Sequence, residues 1–167
     1  MDDKKALAIR KAGQIREVID EKKELRKLRK EGEQPYYRKA QYHETDQMGI
    51  IHHTNYVNWL EEARTDYFEK IGCSYAQLEN EGIMSPVVSI QVKYKTPVRY
   101  GDVVRIHVAM TKYTGLKLGL HYEILNEVTG EICAEAVSEH CFLDASGKIL
   151  SLKKARPALD ALIRENM

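Results

Sequence analysis

Tyr56-Val57-Asn58-Trp59-Leu60-Glu61-Glu62-Ala63-Arg64-Thr65-Asp66-Tyr67-Phe68-Glu69-Lys70-Ile71-Gly72 is the run on which the fold turns. Tyr56, Leu60, Ala63, Tyr67 and Ile71 recur every three or four positions, so they line one face of an α-helix, and charged side chains occupy the other faces. Neither proline nor glycine interrupts the run until Gly72, which is the expected stop. Thr54 or Asn55, each with a short polar side chain, is the expected N-cap.

On the C-terminal side of this helix the apolar period changes from 3.6 to 2. Val88, Ile90, Val92 and Tyr94 alternate with Ser89, Gln91 and Lys93 until Pro97 ends the run. Val104, Ile106, Val108 and Met110 repeat the pattern, followed by Leu118, Leu120, Tyr122 and Ile124, and Ile132 to Leu143 makes a fourth segment. Alternation of this kind marks strands with one covered face, and Gly115, Thr129-Gly130 and Ser146-Gly147 supply short turns. On the N-terminal side, Tyr36 to Tyr42 reads as a short first strand and His43 to His53 as a loop around Gly49. One long apolar helix among several alternating strands predicts an α+β domain, an antiparallel sheet wrapped around that helix. A short helix from Pro157 through Ile163 closes the chain.

Composition changes near Gly32 to Pro35, which divides the 167 residues into an extension over 1–34 and a domain over 35–167. The extension carries Ala8, Ala12, Ile15, Ile19, Leu25 and Leu28 at roughly helical spacing, predicting one charged amphipathic helix. Its eleven Lys/Arg stand against eight Asp/Glu with signs mixed, and one helix is not a helix-turn-helix, so no nucleic-acid partner is expected. The formal net charge of +1 agrees. No apolar run has the length of a membrane span, and the three cysteines lack C-x-x-C spacing, which together predict a cytoplasmic protein without a disulfide framework or zinc ribbon.

The loop before the helix, His43-Glu44-Thr45-Asp46-Gln47-Met48-Gly49-Ile50-Ile51-His52-His53-Thr54-Asn55-Tyr56, gathers the groups that can carry chemistry. A carboxylate at Asp46 can face the space beyond the helix N-terminus, where unpaired backbone N–H groups are ready donors for a developing oxyanion. Read from residue types alone, Asp, Thr and Asn at such a place are more often caps than catalysts. Adjacent histidines cannot readily share one metal, and no H-x-x-x-H spacing occurs, so no metal and no cofactor are expected. His107, His121 and His140 fall in alternating strands and read as structural. Cys73, Cys133 and Cys141 read as small buried side chains.

The loop resembles the Y-x-D-T-D-x-x-G-V-V-x-H-x-N-Y motif of the 4-hydroxybenzoyl-CoA thioesterase-like hotdog family, which includes the Tol-Pal-associated acyl-CoA thioesterases. Asp46, Gly49, His53, Asn55 and Tyr56 match it. Trp59 to Arg64 is similar to the family's aromatic-x-E-x-A-R on the helix, and Tyr94 to Asp102 to its Y-x-x-P-x-x-x-G-D segment. The resemblance implies a hotdog fold with active sites at a subunit interface, an acyl-CoA substrate, and a homodimer or homotetramer. It implies Asp46 as general base or nucleophile, His53 as a second catalytic position through ring or backbone N–H, and Gly49, Asn55 and Tyr56 as substrate-binding positions. Glu61 and Arg64 are expected to form a structural pair. Two departures stand out: Glu44 replaces the family's usual Asp, and His52 replaces a large residue, commonly Tyr. A hotdog hydratase or dehydratase and a non-catalytic acyl-CoA-binding sensor are the alternative functions. The first would carry its acid/base residues on the helix, and the second would need a DNA-binding unit and no catalytic aspartate.

Overall fold

The computed structural model describes residues 34–167; the helix expected over 1–34 lies outside the described residues but for Gln34. Five strands, β1 (Tyr36–Lys39), β2 (Val87–Tyr94), β3 (Val103–Tyr113), β4 (Lys117–Asn126) and β5 (Ile132–Cys141), form one antiparallel sheet in the order β1-β3-β4-β5-β2. Helix α1 (His53–Lys70) lies on one face, with the shorter α2 (Tyr75–Asn80), α3 (Leu152–Ala155) and α4 (Pro157–Glu165) near its end of the chain and the C-terminus. The expected α+β class is therefore observed.

The core is where the two periodicities meet. Trp59, Leu60, Ala63, Tyr67 and Phe68 of α1 are buried in one cluster with Val104, Ile106, Val108 and Met110 of β3 and Leu120, Tyr122 and Ile124 of β4. Helix α1 ends in a Schellman arrangement: the Cys73 N–H donates to the Phe68 carbonyl at 2.8 Å and the Gly72 N–H to that of Glu69 at 3.0 Å. Gly72 has φ +81°, a conformation costly for any residue with a Cβ, so the expected stop is observed.

Three expectations need correction. The N-cap of α1 is His52, whose Nδ1 accepts from the Thr54 N–H, and the helix starts at His53, so Thr54 and Asn55 are already helical. The alternating face of β2 is uncovered at Val88, 56% exposed, and Ile90, 38% exposed, because β2 is an edge strand, whereas Val92 packs on the core and Tyr94 reaches α1. Glu61 and Arg64 do not pair. The Arg64 guanidinium sits 5.6 Å from the Tyr75 ring centre, whereas Glu61 is exposed. The helix α2 was not expected, although Ser74 and Gln77 form a reciprocal capping box that the sequence spells out.

Candidate active site

The loop between β1 and α1 is built around a buried carboxylate. Glu44, 4% exposed, accepts from the Trp59 indole N–H at 2.9 Å, an Arg38 guanidinium N–H at 2.8 Å and the Gln41 backbone N–H at 2.7 Å. Its backbone carbonyl accepts from the Asn55 side-chain amide at 2.9 Å and the His52 N–H at 2.8 Å. This one residue thus ties the loop to the sheet, through Arg38, and to two points of α1. Charge-assisted bonds in a water-poor setting are the strong ones, and they fix the loop's path. In the sequence Glu44 is a departure from the motif that is still able to keep a loop hydrogen bond, and its bonds to Arg38 and Trp59 go beyond that expectation.

From that anchor the chain makes a tight turn. The Met48 N–H donates to Asp46 Oδ1 at 2.8 Å, the Gly49 N–H to the Asp46 carbonyl at 3.0 Å, and the Asp46 N–H to the Ile50 carbonyl at 2.9 Å. Gly49, at φ +73°, supplies the left-handed residue this turn requires. The Ile51 N–H then donates to the Val98 carbonyl at 2.8 Å, which moors the loop to the connection between β2 and β3. One oxygen of Asp46 is held by Met48, and a carboxylate has a second to offer.

Asp46, His53 and Tyr56 come together on the wall of one cleft of about 230 Å³, whose other walls include Met48, Ile50, Tyr94, Lys95 and Pro97. Tyr94 reaches over from β2 and donates its hydroxyl to the His53 carbonyl at 3.0 Å, and its ring meets Tyr56 edge-to-face at 5.1 Å. Burial pushes the Tyr56 hydroxyl up to about 12, with a hydrogen bond to the Val98 backbone pulling the other way, so Tyr56 is a neutral wall at ordinary pH. The ring centres of His52 and His53 lie 4.2 Å apart, with the planes tilted by 36°. Lys95 at the rim is paired with Glu135 at 2.7 Å.

Gly49 and Asn55, expected as substrate contacts, are not on that wall. Gly49 shapes the turn, and the Asn55 amide is directed back to Glu44. Tyr94 was missed as a wall residue, although it opens the Tyr94 to Asp102 segment. Chemically, the cleft joins a carboxylate, an imidazole and the N-terminal end of an 18-residue helix, whose first N–H groups have no intrahelical acceptors and favour negative charge.

The sequence profile of the thioesterase-like superfamily matches residues 40–163. The Bacillus subtilis (strain 168) protein YneP, provisionally named an acyl-CoA thioesterase, is 40% identical over 119 residues, 71% of this chain and 86% of that one. The crystal structure of the DHNA-CoA thioesterase from Staphylococcus aureus is similar with a TM-score of 0.75 at 35% identity, covering 79% of this chain and 89% of its own. The acyl-CoA thioester hydrolase YbgC of Escherichia coli O6:H1 is 31% identical over 85 residues, 51% of this chain and 63% of its length.

Proposed function

We propose that Asp46 is the general base for thioester hydrolysis in this chain, which belongs to the thioesterase-like superfamily and is an acyl-CoA thioesterase. The observation that carries the proposal is that Asp46 and the first residue of α1, His53, line the same cleft. A water held by the second oxygen of Asp46 loses its proton to the carboxylate as its oxygen attacks the thioester carbonyl carbon. The carbonyl oxygen becomes an oxyanion facing the His53 N–H and the positive end of α1. Collapse of that intermediate breaks the C–S bond, and the CoA thiolate leaves and takes up the proton Asp46 received. Free acid and CoA are the products, and no cofactor enters the balance.

A positioned general base contributes about two to four orders of magnitude and one oxyanion donor about two to three. Substituting Asp46 is therefore expected to cost more than removing the His53 ring, because the His53 backbone N–H survives the change to alanine. Asp46 acting instead as nucleophile, through a mixed anhydride, is separated by a single turnover in ¹⁸O-water. The base route puts one label into the acid and none into Asp46, whereas the anhydride route leaves label in the Asp46 carboxylate when water attacks there.

The proposed assembly is a homodimer formed through β2. Its open edge offers unpaired backbone groups, and its exposed Val88 and Ile90 border the buried face of the sheet, so a twofold copy can satisfy both at once. The acyl-CoA-binding sensor and the hydratase are the readings to which equal, negligible thiol release from wild type and Asp46→Asn would lead.

A further inference from the structure

The N–H groups that open α1 are not equally engaged. The Asn55 N–H donates to the His52 carbonyl at 3.0 Å, and the Thr54 N–H to the His52 imidazole Nδ1 at 3.4 Å. The same nitrogen lies 2.8 Å from the Thr54 hydroxyl. An amide N–H can only donate, so Nδ1 is the accepting nitrogen and the ring proton of a neutral His52 is on Nε2. The His53 N–H, by contrast, meets no acceptor among the described residues. Of the three N–H groups that begin the helix, it is the one left for a ligand.

The direction of that N–H is set by the two peptide planes that meet at His53. A peptide unit is planar, so holding its oxygen and its N–H holds the plane. The plane ahead of His53 carries the His52 carbonyl, which Asn55 holds. The plane behind it carries the His53 carbonyl and the Thr54 N–H. That carbonyl accepts from the Tyr94 hydroxyl at 3.0 Å, and that N–H is the one taken by the His52 ring. The helix ladder already provides the His53 carbonyl with a donor, so α1 does not need Tyr94 to form.

The two holds come from different elements. Tyr94 is the last residue of β2, paired with Ala134 of β5, and the N–H of the next residue, Lys95, donates to the Cys133 carbonyl at 2.8 Å. Its hydroxyl is therefore delivered from a strand fixed on both sides of the tyrosine. Desolvation raises that hydroxyl above its ordinary range, so it stays protonated and able to donate at neutral pH. A tyrosine at position 52 would keep a ring beside His53 but carry its oxygen beyond the ring, away from the Thr54 N–H. The hold through His52 thus belongs to this chain rather than to the motif it departs from.

We propose that Tyr94 and His52 are positioning residues for thioester hydrolysis: together they hold the peptide that joins His53 to Thr54, and so aim the free His53 N–H at the reacting carbonyl oxygen. This inference rests on the thioesterase reading and on the His53 N–H as its oxyanion donor.

The test measures kcat and KM separately in the full chain, for an acyl-CoA that the wild type turns over, beside denaturation midpoints. Tyr94→Phe removes only the hydroxyl of a residue that is 48% exposed, so the fold and the ring wall of the cleft are retained. Its kcat is expected to fall about tenfold, part of the worth of one oxyanion donor, with KM within about twofold and the midpoint unchanged. His52→Ala is expected to lose a similar factor in kcat. His52→Asn, whose side-chain oxygen is a good N-cap acceptor, is expected to recover most of it. Because both residues act on one peptide, Tyr94→Phe combined with His52→Ala is expected to lose clearly less than the product of the single losses.

A KM that rises while kcat holds in Tyr94→Phe would make the hydroxyl a substrate contact. A His52→Ala protein with a lowered midpoint and wild-type kcat would make His52 a cap alone. Either result, or losses that simply multiply, overturns the inference. Asp46→Asn is run alongside. Turnover that Asp46→Asn abolishes and Tyr94→Phe leaves untouched overturns this inference alone, whereas the absence of any Asp46-dependent turnover overturns the reading on which it rests.

Discussion

At the residue scale, Glu44 and Asp46 divide the labour of the loop. Glu44 is buried among three donors, so Glu44→Ala leaves the Trp59 indole N–H without its acceptor and Arg38 with Glu62, at 3.0 Å, as its remaining carboxylate partner. A loss of about 3 kcal/mol in stability is expected, read from the denaturation midpoint, together with a fall in kcat as Asp46 loses its mooring. Glu44→Asp, one methylene shorter, is expected to recover part of both; a full-activity Glu44→Ala would contradict the anchoring role. Asp46 stands out in the sequence because the motif around it is dense in matching residues, and it lines the cleft together with His53 and Tyr56. Glu44 does not, because a buried glutamate is recognised by what surrounds it, and Arg38 and Trp59 lie six and fifteen residues away. Asn55, expected from its residue type and position as an N-cap, directs its amide inward to Glu44.

At the element scale, alternation located β3, β4 and β5, and their apolar positions are the core. It also located β2, but period two reports only that one face is apolar and not whether this chain covers it. Val88 and Ile90 read like core residues and stand in the open, because β2 lies at the edge of the sheet. Ile90→Lys places a charge in that face and is expected to shift the assembly from dimer toward monomer in light scattering, with activity lost in step. A dimer unaffected by Ile90→Lys would remove β2 from the interface. The start of α1 escaped notice for a chemical reason: His52 caps through an imidazole nitrogen, outside the Ser/Thr/Asp/Asn set from which caps are read.

At the scale of the whole molecule, the buried polar chain Tyr122–Ser138–His140 crosses the core, with Tyr122 and Ser138 oxygens 3.1 Å apart and Ser138 and His140 2.8 Å apart. His140 is fully buried, and burial, with the Arg64 charge adding to it, pushes its imidazole down to about 4 from 6.5. Between those values the unfolded chain takes up a proton that the folded chain refuses. Stability is therefore complete above pH 6.5, falls as pH drops from there to about 4, and loses nothing more from this residue below that. The ceiling on the loss is about 3 kcal/mol, and urea midpoints against pH should show it; His140→Gln should flatten that slope, and a slope unchanged by it would assign the loss to other groups. Such a pH response is invisible to sequence reading, which shows a histidine in a strand without its neighbours. The function of the chain is thioester cleavage, and the most direct test of Asp46 as its base is thiol release from a panel of aliphatic and aromatic acyl-CoAs by wild type and Asp46→Asn. Asparagine keeps the oxygen that accepts from the Met48 N–H, so the turn and the fold are retained while the base is removed. The account predicts a kcat lower by about two to four orders of magnitude with an unchanged denaturation midpoint; an Asp46→Asn protein that turns over like wild type would contradict it.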